Sequence, residues 1–280
     1  MIGHGLVIRA FRKLVSEGNL AHSYVFFGPE GVGKRLLALG LANFLETDNF
    51  EWDDKKPPVL GDLLAINPGV NSIGIESVRQ VRHFLAQRPN RSAYRTVVVD
   101  RSELMSTEAQ NAFLKIAEEP PRSALIVFVT QNPENLVPTL ISRLQKVHFA
   151  ALPSREVKEW LIKEGCVLAE KAEELAKSSF GQPGLALRMW QDDELKKNLR
   201  LAQEFLKLKR LELSSKDFLK DLLESEVKVE IFLDALIIEL ARDSRINYNL
   251  WHSIVDLRRN FSYFPLNPRL QLQSLLNQKN

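Results

Sequence analysis

Residues Gly28-Pro29-Glu30-Gly31-Val32-Gly33-Lys34 complete a G-x-x-x-x-G-K frame, and Arg35 then breaks it. The glycines permit the tight turn that aims backbone N–H groups at an anion, and the lysine of such a loop reaches terminal phosphates. The next position calls for Ser or Thr, whose hydroxyl holds Mg²⁺ on the nucleotide. A guanidinium is a permanent cation with no acceptor atom, so Arg35 ligates no metal. Tyr24–Phe27 is a short apolar, aromatic run that reads as a buried strand feeding the loop. Leu36–Phe44 reads as the helix leaving it, with Leu37, Ala38, Leu41 and Phe44 at helical spacing. Strand, glycine loop and helix form the context that a phosphate loop requires. The chain reads as one that keeps the loop and loses the metal site.

Around that loop, residues 1–150 alternate apolar runs with amphipathic stretches, which predicts a parallel sheet covered by helices. The strand candidates are Tyr24–Phe27, Leu63–Ile66, Thr96–Asp100, Leu125–Thr130 and Lys146–Phe149. Glu46–Pro58 reads as a surface excursion. Past Ala151-Leu152-Pro153-Ser154 only helical periodicity remains, which predicts a small helical domain over 151–190 and a second over 191–280. Asn267-Pro268 reads as the start of a last helix. A chain of 280 residues has room for two or three domains. With 38 basic against 35 acidic residues, the excess is too small to claim a nucleic-acid surface without a localised patch. No apolar stretch reaches membrane-span length and the start lacks a signal-peptide core, so a cytoplasmic protein is expected. The single Cys166 excludes an internal disulfide and a multi-cysteine zinc site, and reads as a small buried hydrophobe.

Val97-Val98-Val99-Asp100 is an apolar strand ending in a carboxylate, as in the second nucleotide motif of P-loop ATPases. The alternative is an aspartate that simply caps a turn. Hydrolysing members place a glutamate next; this chain has Arg101, and Glu103 comes two residues late. Ser106–Pro121 reads as a helix with Ser106 as N-cap and Ala109, Ala112, Phe113, Ile116 and Ala117 as its apolar face. Gln110, Asn111 and Lys115 fall on the other side, either solvated or facing a partner or DNA. Leu125–Thr130 is a buried strand ending in a hydroxyl. The pair Ser142-Arg143 precedes the last strand, and alone it says little.

Taken together, three segments resemble the bacterial DNA polymerase III clamp-loader family, and within it the δ′ branch. They are Ala21-His22-Ser23-Tyr24 with the glycine loop, Gln110-Asn111-Ala112-Phe113-Leu114-Lys115 with Glu118-Glu119-Pro120-Pro121, and Pro138-Thr139-Leu140-Ile141-Ser142-Arg143. With Ile2-Gly3-His4 they span residues 2–145. The resemblance implies an AAA+ module over 1–150, a helical lid over 151–190 and an all-α collar over 191–280 that joins a five-subunit ring. It departs from the family's motor subunits at Arg35, at Asp100-Arg101 and at Gly181-Gln182-Pro183-Gly184, where a Gly-Ser-x-Arg motif would stand; Arg188 lies one turn further on. The four-cysteine zinc module of many relatives is absent, so no zinc is expected.

What this resemblance implies is a non-hydrolysing, stator-like subunit of the replicative clamp loader within the polymerase III holoenzyme, supplying Arg143 in trans to a neighbour's γ-phosphate. The alternative is an ATP-hydrolysing motor subunit of the gamma/tau type, with Glu103 replacing the missing base. Gly28, Gly31, Gly33, Lys34, Arg35, Asp100 and Thr130 are the candidate nucleotide-site residues, and ATP binding is expected to be weak or absent. The implied partners are motor subunits and a delta-type subunit in a hetero-pentamer, the sliding clamp, and primer–template DNA. Arg79, Arg82 and Lys115 are the candidate phosphate contacts to that DNA.

Overall fold

Five apolar runs become five parallel strands, each within one residue of its expected bounds. In the computed structural model, residues 2–66, 72–165, 167–210, 226–242 and 248–261 are described. The strands are β1 (Ser23–Phe27), β2 (Leu63–Ile66), β3 (Arg95–Val99), β4 (Ala124–Thr130) and β5 (Gln145–His148). They form one sheet in the order β2-β3-β4-β1-β5. Successive side chains of a strand point to opposite faces, and a parallel sheet covered on both sides buries both sets. In β3, Val97 and Val99 enter one core and Val98 the other; in β4, Ile126 and Phe128 oppose Leu125, Val127 and Val129.

Helices α1 (Gly5–Ser16) and α2 (Lys34–Thr47) cover one face, through Phe11, Leu37 and Leu41. Helices α3 (Ile75–Leu85), α4 (Thr107–Glu118) and the single turn α5 (Pro138–Ile141) cover the other, through Val81, Phe113 and Leu140. Ser106 caps α4 as its sequence demands, its hydroxyl accepting from Ala109 N at 3.1 Å. The loop between α3 and β3 hangs on Asp62. This 2% exposed carboxylate accepts from the backbone N–H groups of Asn90, Arg91 and Ser92 at 2.6–3.0 Å, and the Arg95 guanidinium lies 3.7 Å away.

The chain divides into two compact units, residues 1–185 and 186–280. The first also holds α6 (Ser154–Lys163) and α7 (Ala169–Ser178), whose Val157, Leu161, Ala172 and Leu175 are buried. Helix α8 (Pro183–Gln191) begins in the first unit and ends in the second. The second contains α9 (Asp193–Arg210), α10 (Glu226–Arg242) and α11 (Tyr248–Phe261). Phe205 of α9 meets Phe232 of α10 edge to face at 5.7 Å, and Leu195, Leu199 and Ala202 line the same buried face. The expected helix at Asn267-Pro268 and the expectation for Cys166 lie outside the described residues. Among the described residues no helix is long and apolar enough to cross a membrane.

Candidate functional site

The strands are parallel and β4 lies between β1 and β3, so the segments leaving β1, β3 and β4 share the C-terminal end of the sheet. That end gathers the glycine loop, Asp100 and Thr130. Gly28 turns the chain there with φ 138°, and a Cβ on it would fall 2.1 Å from the carbonyl oxygen of Phe149. From below, buried His4 props the loop, its Nε2 lying 2.6 Å from Val32 O. A carbonyl only accepts, so Nε2 carries the proton. Burial holds the His4 pKa below its usual range, in part against the bond to Val32, and an edge contact with Phe149 at 4.8 Å completes the seat.

Lys34 turns its ammonium into the loop. Its Nζ donates to Gly28 O at 2.7 Å and to Pro29 O at 2.6 Å, and the residue is 6% exposed. Burial lowers its pKa, against the attraction of Glu103, Glu30 and Asp100. Arg35 points its guanidinium between two carboxylates, with Nε 3.5 Å from Asp100 and Nη1 2.8 Å from Asp54. Trp52 Nε1 also donates to Asp54, at 2.9 Å. Burial raises the Asp100 pKa, and Arg35 opposes that rise. Arg101 adopts the left-handed conformation at φ 48° and donates its N–H to Asp100 Oδ1. Thr130 is buried and spends its hydroxyl on Asn132 O at 3.1 Å. The Oε2 atom of Glu103 is buried without a hydrogen-bond partner.

These residues do not fit a magnesium-bound triphosphate as they stand. The ligating hydroxyl is a guanidinium beside Asp100, and the lysine serves the loop's own carbonyls. Above the loop, the first turn of α8 closes on Gly31: Gly184 N donates to Gly31 O at 2.8 Å. Among the described residues no group of three or more His, Cys, Asp or Glu side chains is arranged to hold a metal ion.

Arg143 lies at the opposite, N-terminal end of the strands. It follows α5 and precedes β5, whose first residue pairs with Tyr24 at the start of β1, whereas the glycine loop leaves the end of β1. The strand length between them is roughly 15 Å. Arg143 Nη1 donates to Thr139 O at 2.7 Å, and Nη2 to Glu118 Oε1 at 2.6 Å. Its neighbour in the motif, Gln110, is not on a solvated face of α4. Gln110 is 5% exposed, accepts from Val137 N at 2.7 Å and donates to Met105 O at 3.2 Å, tying α4 to the segment that enters α5. Asn111 and Lys115 are exposed, as are Arg79 and Arg82 on α3, and Arg79 pairs with Glu76. Arg188 is exposed within the second unit.

A family model described as DNA polymerase III, delta subunit, matches residues 3–153. The DNA polymerase III subunit delta' of Escherichia coli (strain K12) is 31% identical over 140 residues, 50% of this chain and 42% of that protein. The subunit gamma/tau of Mycobacterium tuberculosis (strain H37Rv) is 29% identical over 172 residues, 58% of this chain and 30% of that protein. The chain thus aligns with less than half of each relative's length. Among solved structures, a DNA polymerase III gamma subunit-related protein from Thermotoga maritima superposes with TM-score 0.56 at 22% identity, covering 95% of this chain and 97% of that one. The Holliday junction branch migration motor RuvB of the same organism gives 0.54 at 18%, covering 98% and 88%. Identities this low speak for the fold alone, and that fold is AAA+-like. The matched segment runs from the His4 prop past Arg143 and takes in more than half of the 280 residues, so the chain belongs to the clamp-loader family of DNA polymerase III subunits.

Proposed function

We propose that this chain is a non-hydrolysing, stator-like subunit of the replicative clamp loader that supplies Arg143 to the nucleotide held by a neighbouring subunit. The observation that carries the reading is topological: Arg143 is half-exposed at the end of the strands opposite its own glycine loop, so it serves no phosphate bound there. An arginine reaching a γ-phosphate from outside neutralises the charge that develops on the transferring group. The chain's own loop supports the same reading, because Arg35 spans Asp54 and Asp100 where a metal would sit. ATP affinity is accordingly weak or absent, and calorimetry with and without Mg²⁺ tests it.

Reconstitution with motor subunits tests the main reading. Arg143→Ala is expected to lower the ATPase of the assembled ring by about 10³-fold, the low end for a trans arginine, while assembly persists. Unchanged turnover would reject the role. The ring's further partners, a delta-type subunit, the sliding clamp and primer–template DNA, follow from the same reading. So does the division of labour: residues 191–280 form the assembly collar and residues 151–190 the lid. The all-helical character of the described part of this region, α9, α10 and α11, supports a collar.

One observation favours the motor alternative. Glu103 keeps a buried oxygen without a partner near Lys34 and Asp100, as a carboxylate awaiting a water would. Robust Mg²⁺-dependent turnover by the isolated chain, abolished by Lys34→Ala, would establish that reading in place of the first.

A further inference from the structure

Glu118 is the last residue of α4, where the helix dipole is negative and a carboxylate is unwelcome. The basic residue of that turn, Lys115, has no ion pair with it among the described residues. What offsets Glu118 is Arg143, 25 positions along the chain, at 2.6 Å. The other arm of the same guanidinium is held by Thr139 O at 2.7 Å. Both terminal nitrogens of Arg143 are therefore engaged within the subunit, and one of the two restraints is a full negative charge. A phosphoryl group cannot take up that arm while Glu118 keeps it.

We infer that Glu118 is a positioning residue that restrains Arg143, holding the guanidinium against α4 and α5 until a more highly charged anion displaces the carboxylate. This rests on the reading that Arg143 acts in trans. The pair suits an exchange. The two side chains are 36% and 50% exposed, and solvent-exposed pairs hold weakly enough to be broken without a large barrier. A triphosphate carries several charges where Glu118 carries one, so the exchange is downhill only when nucleotide is present across the interface. The restraint thus discriminates: water and singly charged anions leave Arg143 on Glu118, and a polyphosphate releases it. Glu118→Gln removes the competing charge and keeps the side-chain shape and an acceptor oxygen.

The experiment uses the full chain reconstituted with its motor subunits, reading ATPase without clamp and without DNA. Glu118→Gln is expected to raise this uncoupled rate about two- to five-fold, the range open to an exposed ion pair. The increase should shrink as salt is raised from low to high, because the restraint being removed is itself screened. It should vanish on an Arg143→Ala background. Glu119→Gln makes the same charge change one residue along and is expected to leave the rate unaltered. If Arg143→Ala abolishes turnover but Glu118→Gln leaves it unchanged or lowers it, the restraint is wrong while the trans role stands. An equal increase from Glu119→Gln would also overturn it, since the effect would then be general charge. If Arg143→Ala itself has no effect, the trans role fails first and the restraint fails with it.

Discussion

The backbone N–H of Gly184 donates to the carbonyl of Gly31 at 2.8 Å, so the first turn of α8 sits directly on the glycine loop. Both partners have to be glycine. A Cβ on Gly184 would come within 2.9 Å of Gly31 Cα and 3.1 Å of its oxygen; one on Gly31 would meet Leu185 N at 3.2 Å from a residue at φ +70°. Backbone cannot swing aside as a flexible side chain can. Gly184→Ala is therefore expected to cost about 1–3 kcal/mol, the usual range for overpacking. Denaturant titration measures the loss, and hydrogen exchange should show the amide at position 184 opening faster than in the wild type.

His4 makes stability depend on pH near neutrality. Its folded pKa is depressed below 6.5 by burial, so between that lower value and 6.5 the unfolded chain binds more protons than the folded one. Stability then rises with pH across this window and is fully present above it. His4→Gln retains an N–H donor for Val32 O but does not titrate. The variant's urea midpoint, relative to wild type, is expected to improve as pH falls from 7 to 5. Parallel pH profiles of the two proteins would refute this.

Asp62 carries the opposite end of the pH scale. Burial alone would raise its pKa, but the N–H groups of Arg91, Ser92 and Asn90, with the charge of Arg95, hold it below 3.8. A depressed carboxylate contributes stability that is present above the unfolded pKa and lost as pH falls through the folded one. Asp62→Ala leaves the part-buried N–H groups of Asn90, Arg91 and Ser92 without their acceptor and the buried Arg95 guanidinium, which still donates to Arg88 O, without its counter-charge. The expected loss at neutral pH is about 3 kcal/mol or more, read by thermal or chemical denaturation.

Gln110→Leu keeps the bulk of a buried residue and removes both of its hydrogen bonds. Val137 N and Met105 O are left unpaired, at a cost of about 1–3 kcal/mol each. The expected signature is a cooperative transition at lower denaturant with an unchanged slope.

Much of the sheet was legible because β1, β3 and β4 are buried along nearly their whole length and so carry apolar side chains toward both faces, whereas the edge strand β5, Gln145-Lys146-Val147-His148, is mostly exposed. Leu63–Ile66 stands out between polar neighbours and becomes β2 without adjustment. The glycine loop announced itself by its frame, and Arg35 announced the missing hydroxyl. What spacing could not reveal are contacts made across the sequence. Helical periodicity put Gln110 among the polar positions of α4; it is buried because Val137 arrives from another segment with an N–H to satisfy. The segment expected as a surface excursion is exposed only in part: Glu46 still belongs to α2, Phe50 turns into the core and stacks on Phe44 at 4.5 Å, and Asp54 folds back to Arg35, 19 residues away. Glu118 read as part of a motif ending in Pro120-Pro121, and nothing local joined it to Arg143. His4 was visible only as one letter of a family match, though its ring supports the loop directly. Each of these is a polar group whose partner is set by topology, and a single sequence carries no signal for such pairings.

Helix α5 has four residues, far fewer than a helix needs to persist by itself. Its order is borrowed: Leu140 is wholly buried in the core beneath the sheet, and the entry at Val137 is tied to α4. Arg143 lies two residues beyond the end of that turn. A side chain carried by a long, self-sufficient helix could hold its aim while the domain around it loosened. Here the aim of the arginine and the cooperativity of the core are a single quantity, so warming or a cavity at Leu140 erodes both along one curve.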